Sequence, residues 1–395
     1  MEARERRAVV SIALAVGLCA SAFSFWQPFL PLYLLDLGAK DETNALFWVS
    51  IAVTVQGVAR LLSSPIWGVL SDRFGRKMMF LRALYFGTGT TLIMVFVTEP
   101  WQVTIAFACQ GLFSGFVPAS VALTSVTVAD SRLNSSLSLV TGAQYLGNTI
   151  GPAIGAILAI AFGYQGAILL ASLMPAVIGT AVIFFVPTDR PAARQAGTGK
   201  ARAPLEPFRP NLQFLLAVFT FFVLFSITQL LRLVTPIAIK DLAPDHVDGL
   251  VGVAFTLGGL ASAISVLVLA RHFFRTGHLK RALVTASILA GLAHLLLSVP
   301  DVIVFLVGFV LIALLMAAMI PATNTLIASN ISRERRGTAF GIASSAQALA
   351  FMTGPLGAAM FGAISLGAGF AVMGAILVGL GIILLVLREP SMERA

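Results

Sequence analysis

Charged residues are scarce in this sequence. Asp, Glu, Lys and Arg together make up 11% of its 395 residues, whereas hydrophobic residues make up 58%. So low a charged fraction cannot cover the surface of a water-soluble fold of this length. The mean hydropathy of +0.94 leads to the same conclusion. A soluble globular protein is therefore excluded, and the partner of the apolar surface has to be a lipid bilayer.

Cysteine is also rare, and the two that occur, Cys19 and Cys109, both fall within apolar segments. This excludes a disulfide-stabilised scaffold and predicts two buried free thiols. The nucleotide-binding pattern G-x-x-x-x-G-K-[ST] does not occur, and neither a metal-ligand cluster nor a Ser-His-Asp set stands outside the apolar segments. We therefore expect no cofactor, no metal, no ATP-driven transport and no enzymatic activity.

What the sequence has instead is a series of apolar segments long enough to cross a bilayer as helices. We predict an all-α membrane protein with twelve transmembrane spans. Their approximate limits are residues 8–35, 44–71, 78–98, 101–129, 135–162, 165–187, 212–240, 247–272, 279–299, 301–330, 335–363 and 367–387. The first span is too long to be the apolar core of a cleavable signal peptide.

The basic residues give these spans an orientation. If the N-terminus is cytoplasmic, every Lys and Arg other than Lys40, Lys240, Arg60 and Arg232 falls at or near a cytoplasmic end of a span. Because cytoplasmic loops of membrane proteins are enriched in Lys and Arg, we predict a multi-pass protein of the cell membrane with both termini in the cytoplasm. The net charge of +9 is thus a consequence of topology, and no nucleic-acid partner is expected.

The chain has the pattern of an internal duplication. Residues 188–211 have the composition of a cytoplasmic linker, rich in Pro, Ala, Gly and Arg, with six predicted spans on either side. Segments from the two sides match at a nearly constant spacing of about 203 residues, among them VPASVAL with IPATNTL and AQYLGNTIGP with AQALAFMTGP. We predict domains 1–187 and 212–395, two parallel six-helix bundles around a site near the middle of the membrane.

Three segments resemble a known family. GVLSDRFGRKMMFL (68–81) resembles the loop 2–3 signature of the major facilitator superfamily, and GNTIGPAIGA (147–156) and FLPLYLLDLG (29–38) resemble its twelve-helix drug:proton antiporter branch. The resemblance covers the whole chain and implies the major facilitator fold. It also implies a monomeric, proton-coupled exporter of small amphipathic molecules that works by alternating access. The chain departs from the branch at Phe107, where an arginine associated with proton coupling is usual.

The resemblance gives a role to the residues of the first loop motif. Together they are expected to form a latch that closes the cytoplasmic side: Gly68, Asp72, Arg73, Gly75, Arg76 and Lys77. Asp72 would face the N-terminus of the eleventh span, where the helix dipole favours a carboxylate. A simpler interpretation is a positively charged loop with a helix cap. The second copy favours the latch. It keeps a base, Arg275, at the position equivalent to Arg73 but has Phe274 at the position equivalent to Asp72, so topology requires the base and not the acid.

Small residues and a proline mark one face of the fifth span: Gly147, Gly151, Pro152 and Gly155. Glycines at this spacing allow two helices to approach closely, and the proline removes a backbone hydrogen bond. Two interpretations remain open here. One is ordinary tight packing, and the other is a helix that flexes at the interface between the two halves.

Arg60 and Arg232 lie near the middle of their spans, Arg60 about 18 Å along the helix from Asp72. A guanidinium facing lipid at that depth costs at least about 2.5 kcal/mol, so both should face protein or a watery cavity. With other polar and aromatic residues they predict a substrate cavity lined by Trp26, Gln27, Gln56, Arg60, Gln144, Asn148, Arg232 and Gln347. The alternative is two structural arginines bonded to backbone carbonyls.

No Asp or Glu lies near the middle of a predicted span. The two arginines are therefore unopposed there, which favours neutral or anionic amphiphiles over lipophilic cations. If protons are coupled to transport, Asp36 and Asp72 are the candidate carriers. A second possible function is a transporter of an organic anion or lipid-linked metabolite, with Arg60 and Arg232 as the anion site. A third is a receptor or scaffold that does not transport, which the loop motif disfavours.

Overall fold

The computed structural model describes residues 3–128, 130–186, 211–269, 272–273, 278–330 and 336–387. The regular structure of these residues is helical throughout. In the first half of the chain the helices are α1 (Ala3–Phe25), α2 (Leu30–Asp36), α3 (Glu42–Phe74), α4 (Arg76–Ile93), α5 (Pro100–Phe113), α6 (Phe116–Thr127) and α7 (Asp130–Phe185). In the second half they are α8 (Leu212–Leu242), α9 (Val247–Ile264), α10 (Leu279–Ala293), α11 (Val302–Ala317), α12 (Met319–Ser329), α13 (Arg336–Ile364) and α14 (Leu366–Ile383).

Each of the twelve predicted spans corresponds to helical structure. Ten stretches of the described residues are long and apolar enough to cross a membrane. One of these, Leu139–Phe185, contains two predicted spans, because α7 is interrupted at Gly163, where φ is +68°. The predicted eleventh span corresponds to α13. The prediction of an all-α membrane protein is confirmed.

Contacts within the chain divide it into two compact units. The first unit comprises Met1–Gly38 with Val55–Phe208, and the second comprises Ala39–Thr54 with Arg209–Ala395. Helix α3 therefore contributes its N-terminal part to the second unit and the remainder to the first. The predicted domain limits at residues 187 and 212 stay a prediction, and the linker lies almost wholly outside the described residues.

The first unit is built around α1, which packs along α7. Its apolar core contains side chains from α1, α4, α6 and α7, among them Ile12, Cys19, Phe80, Leu123 and Val182. Because the surrounding lipid is itself apolar, close packing rather than removal from water stabilises such contacts in a membrane. Cys19 is a buried free thiol, as its apolar sequence neighbours predicted.

The fourth predicted span is broken into α5 and α6. Between them Gly115 has φ +110°, a conformation that residues with a side chain rarely adopt. The cause is Pro118, which stands four residues after Ser114. Proline has no amide hydrogen for the carbonyl of Ser114, and its ring would collide with that carbonyl in a continuous helix.

The tenth predicted span is interrupted at the equivalent place, although Ala318 between its two helices keeps helical dihedral angles (φ −73°, ψ −20°). α11 ends at Ala317 and α12 begins at Met319. Pro321 stands four residues after Ala317. Pro118 and Pro321 occupy the same place in the matching segments VPASVAL and IPATNTL. The two copies therefore share a proline-induced break at equivalent positions.

Candidate functional site

Three glycines allow α7 to lie directly on the backbone of α1. A Cβ atom on Gly151 would stand 2.6 Å from the carbonyl oxygen of Ser21. On Gly147 and Gly155 it would overlap the carbonyls of Gly17 and Phe25, respectively. No side chain can be added at these positions without moving a helix. The structure thus places the predicted small-residue face at a close helix contact, and flexing of α7 around the buried Pro152 stays a prediction.

The same contact carries one polar bond. Ser24 Oγ on α1 donates to Asn148 Oδ1 on α7 at 2.8 Å. Gln144, one turn before Asn148, is half-buried, and so is Gln27, which opens the short 3-10 turn between α1 and α2. Four of the predicted cavity residues therefore belong to the α1–α2 and α7 region of the first unit: Trp26, Gln27, Gln144 and Asn148.

A chain of polar side chains joins α3, α4 and α5. Gln56 Nε2 donates to Gln110 Oε1, and Gln110 Nε2 donates to Thr91 Oγ1 at 3.1 Å. About two turns further along α3, Ser63 Oγ donates to the carbonyl of Gly111 at 3.2 Å. Arg60 lies between Gln56 and Ser63 on the same helix face, and its side chain is exposed. Two polar residues on this face of α3, Gln56 and Ser63, thus contact Gln110 and Gly111 of α5.

Phe107 replaces the arginine that is usual in the antiporter branch, and the structure gives it an apolar role. Its buried ring lies edge-on to Trp26, with ring centroids 5.6 Å apart. Trp26 is itself 3% exposed. It also lines a small, mostly apolar pocket with Phe29, Tyr33 and Tyr164. In this part of the first unit Trp26 is therefore mainly a packing residue.

Arg232 lies in the middle of α8, within the second unit. Its side chain is partly exposed and has no ion pair or hydrogen bond with any residue that the structure describes. Gln229 precedes it by about one turn and lies against Gly354 of α13, where an added Cβ atom would be 2.9 Å from the Gln229 Cβ atom. Gln347, also on α13, is half-buried. Arg232 is thus a candidate cation for the predicted cavity, without a neutralising partner among the described residues.

The predicted latch falls partly outside what the structure describes, since neither the surroundings of Gly68 nor the side chain of Asp72 is described. Arg73 is exposed and Arg76 is half-buried. Gly75 separates α3 from α4 with φ +93° and forms the turn between them. Lys77 is buried, and its Nζ donates to the carbonyls of Ile183 and Val186 at 2.9 and 2.6 Å. Lys77 therefore binds the C-terminal end of α7 within the first unit.

The N-terminal part of α3 is bonded within the second unit. Glu42 forms an ion pair with Lys240 near the end of α8. Ser50 Oγ donates to the carbonyl of Pro355, and Thr54 Oγ1 donates to that of Met352 at 3.3 Å, both on α13. Asp36, the other candidate proton carrier, is exposed at the end of α2.

Two residues that the sequence did not single out as a site lie beside the break in the fourth span. Trp67 Nε1 donates to the carbonyl of Leu112 at 2.6 Å. Arg82 Nη2 donates to the carbonyl of Ser114 at 3.4 Å, and the guanidinium carbon lies 3.5 Å from the centre of the Trp67 ring. The sequence does contain a signal for the break itself, because Pro118 and Pro321 occupy equivalent positions of the two copies.

Comparison with known proteins agrees with this architecture. The sequence model of the family described as Major Facilitator Superfamily matches residues 12–300 and 246–395. A multidrug resistance protein MdtG of Proteus mirabilis (strain HI4320) is 30% identical over 358 residues, which cover 86% of this chain and 85% of that protein. An MdtG of Escherichia coli O17:K52:H18 is 28% identical over 375 residues, which cover 92% of this chain and 89% of that protein.

Solved structures share the fold at lower sequence identity. The human organic anion transporter MFSD10 (TETRAN) has a TM-score of 0.67 at 20% identity, over 96% of this chain and 99% of its own. The peptide transporter POT, crystallised with sulfate, has a TM-score of 0.73 at 14% identity, over 95% of this chain and 93% of its own. These similarities establish the fold of the chain.

Proposed function

Because the chain belongs to the major facilitator superfamily, it is a membrane transporter and not an enzyme, and we propose that it exports amphipathic small molecules as a multidrug-type antiporter. The observation that carries the proposal is the 30% identity to a multidrug resistance protein over 86% of the chain. The sequence resemblance to the antiporter branch in spans 1 and 5 supports it.

Transport would proceed by alternating access, with both termini in the cytoplasm and protons as the coupled ion. The bonds of Glu42, Ser50 and Thr54 hold the N-terminal part of α3 within the second unit. With the predicted topology this part of α3 lies on the outer side of the membrane. Release of these bonds would let it leave the second unit, which is the movement an outer gate requires.

Substrate charge would be selected by the arginines. Arg232 is partly exposed and unpaired with the described residues, and Arg60 is exposed beside the Gln56–Gln110 bond. No acidic residue lies near the middle of a predicted span. An unbalanced guanidinium attracts anions and repels cations most strongly where water is excluded. We therefore expect neutral or anionic amphiphiles to be transported in preference to cations.

The experiment is a flux assay with the purified chain in liposomes under an imposed pH gradient. Three amphiphiles of matched size, one cationic, one neutral and one anionic, are offered in turn, and both substrate and proton movement are recorded. Proton-coupled flux of the neutral or anionic compound supports the proposal. Coupled flux of the cation alone would refute the role of the arginines, and binding without any flux would indicate a receptor.

A second candidate function is favoured by Arg232, whose guanidinium has no partner in the described part of the chain, namely transport of an organic anion or a lipid-linked metabolite. It differs from the first function in that every substrate must carry a carboxylate or phosphate group. Arg232→Gln separates the two. For an anion carrier the variant should lose at least about tenfold in affinity, since a charge-assisted hydrogen bond contributes about 1.5–3 kcal/mol. For a multidrug exporter, transport of the neutral compound should persist. Arg281→Gln, at an exposed position of α10, is the matched control.

A further inference from the structure

We propose that Arg82 and Trp67 are positioning residues that set the bend of the fourth span, by bonding the backbone carbonyls that the break at Ser114–Gly115 leaves without helical partners. The geometry is internal to the first unit and does not depend on what is transported. Only its consequence for turnover rests on the proposed transport function.

The carbonyls in question are those of Leu112 and Ser114. In a continuous helix each would accept from the amide four residues later. For Ser114 that residue is Pro118, which has no amide hydrogen, so the bond cannot form in any helical state. Leu112 would use the amide of Phe116, but the turn at Gly115 lies between them. The break therefore creates two acceptors that need donors from elsewhere.

The donors come from the two neighbouring helices. Trp67 Nε1 on α3 reaches the Leu112 carbonyl at 2.6 Å, and Arg82 Nη2 on α4 reaches the Ser114 carbonyl at 3.4 Å. The Arg82 guanidinium stacks on the Trp67 ring, so the two donors also hold each other. Ser63 adds a third bond from α3 to the carbonyl of Gly111.

Arg82 has little else to offset its burial. Its Nε and Nη1 atoms are buried and have no hydrogen-bond partner in the part of the chain that the structure describes. The bond to Ser114 and the Trp67 ring thus provide the interactions that balance the desolvation of this cation. Conversely, an unbonded carbonyl at membrane depth is costly. Arg82 and Ser114 therefore stabilise one another at this one position of α5–α6.

The second copy has the break without this support. Ser265, at the position equivalent to Ser63, accepts from the amide of Ala318 at 3.0 Å. The positions equivalent to Trp67 and Arg82 are Leu269 and Thr285, which cannot supply the same donors. Thr285 instead donates to the carbonyl of Arg281, one turn before it on α10. The two bends are thus equivalent in origin and different in how firmly they are held.

The test measures the bend directly in the full chain. With Cys19 and Cys109 replaced by Ser, spin labels at Ile105→Cys and Val126→Cys report the distance across the break by electron paramagnetic resonance. Both positions are exposed, and in a straight helix they would be about 31 Å apart. We expect a narrow distribution below that distance in the parent chain. Arg82→Gln and Trp67→Phe should each at least double its width, and Arg82→Lys, which keeps a donor, should recover part of the order.

The decisive comparison is made in a chain that carries Pro118→Ala, because alanine restores the amide hydrogen that proline lacks. There the distance should rise toward about 31 Å, and Arg82→Gln should no longer change it. Trp101→Phe, an exposed tryptophan at the start of α5, is the matched control for Trp67→Phe. The proposal would be overturned if Arg82→Gln and Trp67→Phe left the width of the distance distribution unchanged. It would also be overturned if Arg82→Gln changed the distribution equally in chains with Pro118 and with Pro118→Ala.

Transport gives an independent readout. In Arg82→Gln we expect turnover to fall several-fold while the substrate KM stays within about twofold, because the bend is displaced and the predicted cavity residues are untouched. A raised KM with normal turnover would contradict a positioning role. If no substrate is transported by the parent chain, the proposed function fails, and the distance measurements still decide the role of Arg82 and Trp67.

Discussion

The amine of Lys77 lies 2.6 Å from the carbonyl oxygen of Val186, just beyond the end of α7, and 2.9 Å from that of Ile183. A lysine at a helix C-terminus satisfies carbonyls that have no helical partner and interacts favourably with the helix dipole. A residue that the family resemblance assigns to a cytoplasmic latch thus anchors the last turn of a helix in its own unit.

Lys77→Met is the first prediction. It keeps the length of the side chain but removes the charge and both donated bonds, so we expect a loss of about 2 kcal/mol in stability. Thermal unfolding in detergent should show a lower Tm, and hydrogen exchange should become faster in residues 183–186. Arg281→Met, at an exposed position of α10, should leave both unchanged. A variant with normal Tm and impaired turnover would instead favour the latch.

The contact of α7 with α1 leads to a second prediction. Gly147→Ala should destabilise the first unit by about 1–3 kcal/mol or prevent its folding, because the added methyl group would overlap the carbonyl of Gly17. Gly142→Ala, on the same helix with no atom within 4 Å of the new methyl group, should be neutral or slightly stabilising. Unfolding midpoints of the two variants make the comparison. Equal midpoints would show that α7 does not rest on the α1 backbone in the membrane.

The ion pair between Glu42 and Lys240 supports a third prediction, which concerns the proposed outer gate. Ser50→Cys, in a chain without Cys19 and Cys109, gives a thiol at a buried position of α3. Glu42→Gln should speed its reaction with a membrane-impermeant maleimide by at most about fivefold, since partly exposed ion pairs contribute up to about 1 kcal/mol.

The charge exchange Glu42→Lys with Lys240→Glu serves as the control, because it should return the maleimide reaction to the parent rate. If Glu42→Gln left the rate unchanged, the ion pair would have no part in holding this end of α3. If the exchange failed to restore the parent rate, the effect would not arise from the pairing of the two charges.

A fourth prediction separates the two candidate proton carriers. Asp72→Asn should lower turnover much more than substrate affinity if Asp72 belongs to the latch, because the closed state would lose its carboxylate while the cavity stays intact. Asp36→Asn should abolish proton movement but leave substrate exchange across the liposome membrane if Asp36 carries the proton. Paired flux and binding measurements distinguish these outcomes. An equal loss of turnover and affinity in Asp72→Asn would count against the latch.

Much of the fold follows from hydropathy alone, because a bilayer requires long apolar helices and leaves few alternatives. The spans, the duplication and the family could all be predicted in this way. The interruption of the fourth span could not be seen in hydropathy, since a bent helix is as apolar as a straight one. Predicting it requires noticing that Pro118 cannot donate to the carbonyl of Ser114, four positions earlier. It also requires comparing Pro118 with Pro321 in the second copy.

The site was less predictable, for a physical reason. Polar residues at mid-span indicate where hydrogen bonds form but not which residues are their partners. Gln56 was expected to line a cavity together with Arg60, and it bonds Gln110 on α5. Arg82 was interpreted as a charge that fixes topology, whereas it bonds a carbonyl that a proline leaves open. Such partners depend on packing between distant segments, which one sequence does not reveal.

The equivalent breaks at Pro118 and Pro321 also give an order of events in the history of the chain. A proline found at the same place in both copies is most simply inherited from the six-helix ancestor. The supports differ, with Trp67 and Arg82 in one copy and Ser265 alone among the equivalent positions in the other. The bend is therefore older than the residues that now hold it, and the two copies diverged in how they support a bend that their ancestor already had.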